Sequence, residues 1–377
     1  MKVGILTFHF ATNYGAVFQA FALKSALKSM GHEAGIINYC PLQMRGGWDY
    51  DYYKRRQTIH WDTVKRVNIK GLLLETFNYL KFFLYDKRFV LKKFESFDFF
   101  ISNNLCEDTN KITNHDELKR VLLQYDAVIC GSDQIWNPKI TKGFDDAYFT
   151  GRLLKIRSIS YAASIGDITV LNDEITKNSF IERVKEFNSV SVRESNLHEM
   201  LKTNGINNYC HCDPTFLLKQ EDYSVLLKEQ RKEKRPYILV YHLLYDKKMI
   251  RFAYEIAEVK NLKVIVVNGT LNSRLGSNNC TSPNDFLALL KNATVVITNS
   301  FHGIALSLIF HRDFFVFMPQ AHKDRIYNLL NLYGLQGRIV TNDYTGENIS
   351  EINYLDMDII SNNMRNKALT YLKEALS

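Results

Sequence analysis

The run Asn299-Ser300-Phe301-His302-Gly303, followed by the apolar Ile304-Ala305-Leu306, holds the residue types from which an anion site is made. Before it, Ala293-Thr294-Val295-Val296 and Ile297-Thr298 read as a buried strand, rich in β-branched residues. Ser300 is expected to cap the helix that follows, with Gly303 in its first turn. Unpaired N–H groups and the positive end of the helix dipole then face whatever lies beside the turn, and anions bind there. His302 stands in the same turn, where an imidazole could touch both a bound phosphate and a reacting atom. It could equally do no more than satisfy the loop backbone, and the segment alone leaves both roles open.

Two other stretches end strands in the same manner. Val3-Gly4-Ile5-Leu6-Thr7-Phe8 reads as a strand, His9 to Ala16 as a loop, and Val17 to Met30 as a helix closed by Gly31 before a strand at Ala34 to Tyr39. That is a βαβ unit, in which Gly15 lets the backbone approach a ligand closely. Tyr125 to Cys130 reads as a third strand, ending in Gly131-Ser132-Asp133-Gln134-Ile135-Trp136-Asn137-Pro138. Open α/β sheets hold their ligands at such carboxyl ends. Asp133 could take a proton from a hydroxyl there, orient a sugar, or merely cap its turn with Ser132.

Further strands are predicted at Ser158 to Ala162, Ser189 to Val192, Tyr237 to Tyr241, Lys263 to Asn268, Thr294 to Thr298 and Phe314 to Met318. Helices are predicted at Lys247 to Lys260, Ser282 to Lys291 and Ile359 to Leu376. Strands alternating with helices argue for parallel sheets. A length of 377 residues exceeds one ordinary core, so two domains are expected, with the seam near Asp213-Pro214-Thr215-Phe216. The division is 1–215, 216–358 and a terminal helix at 359–377. An insertion at about 46–100 is rich in aromatic and basic residues, among them Trp48, Tyr50, Arg55, Phe82 and Arg88. It reads as helices packed on the first domain, with stacking on sugars or contact with an anionic membrane as the functional alternative.

Asn13-Tyr14-Gly15-Ala16 with Gln19-Ala20, Gly31-His32, Gly131 to Trp136, Ser191-Val192-Arg193-Glu194, Asp213-Pro214-Thr215 and Ser300-Phe301-His302-Gly303 occur in one order along the chain. In these residues the chain resembles the polysaccharide pyruvyl transferase family, from its start to about Leu330. The resemblance implies two Rossmann-like domains facing a cleft in a GT-B-like α/β architecture, the last helix returning to the first domain. It implies transfer of the enolpyruvyl carbons of phosphoenolpyruvate to two hydroxyls of a sugar, giving a cyclic ketal and phosphate. The acceptor would be a lipid-linked precursor of a surface glycan, met by the first domain; the second would hold the donor.

In the family an arginine, the turn histidine and a downstream lysine are ascribed to donor binding, which on this chain points to Arg193, His302 and Lys323, with Ser300 and Gly303 at the turn. Phosphoenolpyruvate places a phosphate beside a carboxylate, and several fixed cations suit it. His302 is the candidate acid for C3, Asp133 the candidate base, and Asn13, Tyr14, Gly15 and Gln134 are expected on the acceptor side. A nucleotide-sugar glycosyltransferase of the same architecture is the rival, because fold does not fix chemistry. No cofactor, metal or nucleic acid is implied.

Composition agrees with a globular protein: 46% of residues are hydrophobic and 23% charged, which excludes bulk disorder. A formal charge of +8 suits acidic ligands, an anionic membrane face or nucleic acid without choosing among them. Cys210-His211-Cys212 falls short of a zinc site, since no second ligand pair accompanies it. Neither a signal peptide nor a membrane span is legible, so a cytoplasmic protein is expected, with peripheral membrane contact as the setting that a lipid-linked acceptor would ask for.

Overall fold

The computed structural model describes residues 1–41, 87–106, 110–227, 233, 235–243, 245–268, 281–319, 323–341 and 352–377. Most of the aromatic and basic insertion and most of the charged run at 228–236 lie outside the described residues.

In the first half, β1 (Lys2–Leu6), α1 (Tyr14–Ser29) and β2 (Glu33–Ile36) are followed by α2 (Lys87–Asn104), α3 (His115–Leu122), β3 (Ala127–Cys130), the single turn α4 (Pro138–Thr141) and β4 (Arg157–Ser160). The four strands form one parallel sheet in the order β2-β1-β3-β4. After α5 (Glu174–Val184), the short β5 (Ser191–Val192) pairs in parallel with β6 (Tyr209–Cys210) across α6 (Ser195–Thr203). Bridges from Ile159 to Ser189 and from Ala163 to Val192 set this pair beside β4.

The second half repeats the plan with β7 (Tyr237–His242), α7 (Lys247–Lys260), β8 (Lys263–Asn268), α8 (Pro283–Asn292), β9 (Val295–Thr298), α9 (Phe301–Ile309), β10 (Asp313–Val316) and α10 (Lys323–Leu332). Its sheet is parallel in the order β10-β9-β7-β8. Every residue of β3, β7 and β9 is buried. Strands covered on both faces read as continuous apolar runs, which is why these were plain in the sequence.

Two helix starts differ from expectation. α1 begins at Tyr14, because Asn13 Oδ1 accepts from Gly15 N at 2.8 Å and draws Tyr14 to Ala16 into the first turn. The last helix, α11 (Tyr354–Leu376), begins five residues early on the cap supplied by Asn353. It lies against the first half, where Tyr371 Oη donates to Ser160 O at 2.8 Å, and against the segment after the seam, where Arg365 donates to Phe216 O at 2.9 Å and to Leu218 O at 3.1 Å.

One hydrophobic cluster runs through both halves, with Phe18, Phe21 and Ile129 from the first and Leu239, Phe286 and Leu287 from the second. Tyr14 is its keystone. Its ring stacks on Phe286 at 4.2 Å, its hydroxyl donates to Thr281 O at 2.7 Å, and only 1% of it is exposed. Each fully buried aromatic ring of this kind contributes roughly 1.5–3 kcal/mol. No described helix is long and apolar enough to cross a membrane.

Candidate active site

The end of β9 turns into α9 as the sequence predicts, but the cap uses the groups expected to bind phosphate. Ser300 is buried, its amide donates to Thr298 Oγ1 at 3.1 Å, and its hydroxyl accepts from Gly303 N at 3.4 Å. Gly303 is required for packing, since a Cβ there would collide with the side chain of Thr298. Ser300 and Gly303 therefore spend their backbone amides on the turn itself. What the turn presents is His302, whose side chain is 13% exposed.

His302 faces a carboxylate from the other half. Its Nε2 lies 3.5 Å from Asp213 Oδ2 and has no hydrogen-bond partner. Arg193 Nη1 donates to the same oxygen at 2.8 Å, while Thr215 donates to Oδ1 through its amide at 3.0 Å and its hydroxyl at 2.9 Å. Burial alone would push the Asp213 pKa up; His302, Arg193 and the Thr215 amide outweigh it and hold the carboxyl well below the usual carboxylate range. The carboxylate is thus a fixed charge that holds a guanidinium and an imidazole side by side.

The imidazole is also fixed from the first half. Gly15, in the first turn of α1, lies so close to the ring that an added Cβ would collide with His302 Nδ1 and Cγ and stand 2.5 Å from Cε1. A glycine expected on the acceptor side thus fits the back of the donor-side histidine. Tyr14 needs a correction: its ring belongs to the core and its hydroxyl is already bonded, so it cannot line an open cleft without unpacking the core. Asn13 is partly exposed as the cap of α1, and Gln134 Oε1 accepts from Asn137 Nδ2 at 3.0 Å.

Asp133 stands at a positive φ of 67° and its Oδ1 accepts from Gln134 N at 2.8 Å. Its charge is felt by both Arg193 and Arg325. The turn that carries it is pinned from beneath by Gln19, which donates to Thr7 Oγ1 at 2.8 Å and accepts from Ser132 N at 3.3 Å. Ser132 Oγ in turn lies 3.5 Å from Arg193 Nη1. Capping and a chemical role are therefore compatible in Asp133, since only one oxygen is used by the turn.

Around Asp213 opens a cavity of about 300 Å³. Arg193 and Arg325 line it with Phe216, Phe301, Leu329 and Met364. Lys323 does not: it is exposed at the start of α10, and the basic side chain that α10 brings to the cavity is Arg325, two residues on, with Lys367 of α11 also in the wall. The Cys210-His211-Cys212 run also reaches this wall. Burial pushes the two thiols up to about 11 and 12 and His211 down to about 4. Among the described residues no group of three His, Cys, Asp or Glu could hold a metal ion.

The model of the polysaccharide pyruvyl transferase family matches residues 13–320. The chain belongs to that family. No curated protein matches the sequence. Among solved structures, the UDP-GlcNAc 2-epimerase of Neisseria meningitidis is 8% identical, with 100% of this chain and 99% of that one covered at a TM-score of 0.47. The corresponding epimerase of Methanocaldococcus jannaschii is 12% identical over 97% and 93% of the chains at 0.46. A glycosyltransferase of Streptomyces nogalater is 12% identical over 100% and 98% at 0.44. No ligand or reaction passes to this pyruvyl transferase family member from those likenesses.

Within the family motifs, Asp213 and Gly15 had no assigned part in holding His302, because the contact joins residues far apart in the chain. Arg325 was missed for another reason. It lies in an ordinary amphipathic helix, and the signal that could have found it is helical spacing: Arg325, Asn328, Leu329 and Leu332 recur on one face and all line the cavity.

Proposed function

We propose that this member transfers the enolpyruvyl carbons of phosphoenolpyruvate to two hydroxyls of one sugar in a surface or capsular glycan precursor, closing a pyruvate ketal and releasing phosphate. The observation that carries this reading is a set of buried nitrogens without hydrogen-bond partners among the described residues: Arg193 Nε and Nη2, His302 Nε2 and Arg325 Nε. Buried donors are normally bonded, and leaving one unmade costs about 1–3 kcal/mol. A ligand with a phosphate next to a carboxylate supplies the missing acceptors, and charge-assisted bonds to it are the strong ones.

On this reading His302 gives its proton to C3 while C2 gains oxocarbenium character. One sugar hydroxyl adds at C2, phosphate leaves, and the second hydroxyl closes the ring. Arg193 holds the donor, and the free oxygen of Asp133 receives or orients an acceptor hydroxyl. Asn13 and Gln134 flank the acceptor, whose lipid-linked form would bring the protein to the inner face of a membrane. The cation pair is drawn from both halves, so 1–215 serves the donor as well as the acceptor.

Phosphoenolpyruvate should raise the melting temperature, since a ligand held only by the folded state stabilises it by mass action, and uridine diphosphate should do little. Stabilisation by the nucleotide alone would hand the site to a glycosyltransferase. His302→Gln should lower saturated turnover by roughly two to four orders of magnitude, the usual worth of a positioned acid. One solvent deuterium should enter the ketal methyl group; a product without it would eliminate protonation at C3.

A further inference from the structure

Arg325 brings a positive charge to the cavity and makes no close ion pair there among the described residues. No carboxylate among the described residues comes within 4.0 Å of it, and its buried Nε has no hydrogen-bond partner. The nearby acids act on it only at longer range: Asp213 is bonded to Arg193 and Thr215, one oxygen of Glu194 takes the hydroxyl of Ser164 while its Oε2 has no partner, and Asp133 is felt through its charge. Burial first, and then repulsion from Arg193, draw the Arg325 pKa down to about 10, so it stays cationic at neutral pH. A second guanidinium beside the first, inside one cavity and with no carboxylate in direct contact, leaves a buried donor that an anionic ligand would satisfy.

Helix geometry excludes the neighbouring lysine from the same place. Residues two apart on an α-helix point about 200° apart, so the face that brings Arg325, Asn328, Leu329 and Leu332 to the cavity turns Lys323 outward. We infer that Arg325 is the second arginine of the donor site, and that it and Arg193 together grip the two anionic groups of one small ligand, the part that the sequence pattern assigns to Lys323. The inference rests on the donor reading above and adds its ligand class: a molecule carrying two adjacent anions, not one. Phe301 fits that arrangement, since the guanidinium carbon of Arg193 lies 5.6 Å from its ring centroid and the ring fixes the plane of the fork.

The test is titration calorimetry on the full chain with phosphoenolpyruvate, pyruvate and inorganic phosphate, alongside the ligand-free melting temperature. Phosphoenolpyruvate should bind the wild type well ahead of either single anion. Arg325→Gln should weaken phosphoenolpyruvate on the order of tenfold or more, with a larger effect on KM than on kcat. Lys323→Ala should cost less than Arg325→Gln. Arg325→Lys keeps the charge but loses the fork and should fall between, and it decides the matter if the glutamine variant fails to fold. Unchanged phosphoenolpyruvate affinity in Arg325→Lys and Arg325→Gln, with the wild type still binding, overturns this inference and leaves the donor reading standing. No binding to the wild type overturns both.

Discussion

Replacing Gly15 with alanine tests whether the imidazole position matters more than the fold around it. Gly15 lies inside the first turn of α1 and is not among the glycines of positive φ, so alanine meets no backbone strain and is the better helix former by roughly 0.5–1 kcal/mol. The added methyl would stand 2.5 Å from His302 Cε1. Non-bonded atoms rest about 3.5–4.0 Å apart and Nδ1 and Cγ lie nearer still, so the ring must retreat by more than about 1 Å. Overpacking of this kind costs about 1–3 kcal/mol, part of which the gain in helix propensity offsets. A misplacement of about 1 Å in a catalytic group can cost on the order of 10²-fold. Gly15→Ala should therefore fold, melt within a few degrees of the wild type, and release phosphate from phosphoenolpyruvate about 10²-fold more slowly with whichever glycan supports wild-type turnover. Wild-type turnover in a folded Gly15→Ala protein would refute the reasoning, because either the ring is not held there or its position is irrelevant to the chemistry.

Asp213→Asn should destabilise by about 3–5 kcal/mol in chemical denaturation, because Arg193 loses its partner inside the protein; equal stability would sink the anchoring role. The folded pKa of Asp213 lies below its unfolded value, so its contribution is present above about pH 4 and is lost as pH falls from there toward the folded value. The wild type should accordingly lose stability more steeply below about pH 4 than Asp213→Asn, and matching slopes would remove the linkage. Tyr14→Phe should lower the melting temperature by the equivalent of about 1–3 kcal/mol, as Thr281 O loses its donor, and its effect should not appear in the acceptor KM. An acceptor KM that rises while the melting temperature holds would return Tyr14 to the binding surface.

Much of the α/β layout was legible because local pattern and burial agree. Lys263 to Asn268 and Lys247 to Lys260 occupy the bounds that their apolar runs and periodicity indicate, and the strand read from Tyr125 starts at Ala127. At Tyr14 the pattern misled: an aromatic beside Asn13 and Gly15 looks like loop chemistry, while the cap bond and the stack on Phe286 make it the start of a core helix. The pair β5 and β6, two residues each, is too short for alternation to register, and Tyr209–Cys210 went unread. In the site, the turn of His302 was visible from its own residues. Its neighbours Gly15 and Asp213 could be seen as motif members but not as its contacts, since the closures join α1 and the segment after β6 to α9. Lys323 rested on its position along the chain, which says nothing of which way a helix is turned.

The stack of Tyr14 on Phe286 and the bonds from Arg365 to the carbonyls of Phe216 and Leu218 join segments that lie far apart in the chain. Their consequence is for inheritance. A chimera cut at the seam would set Tyr14 against a foreign α8 and Ser160 against a foreign terminal helix, so the two halves are not interchangeable parts. Recombination would have to move α1, α8 and α11 as a set. Point changes at the strand ends are the ones that can be made without disturbing this shared core.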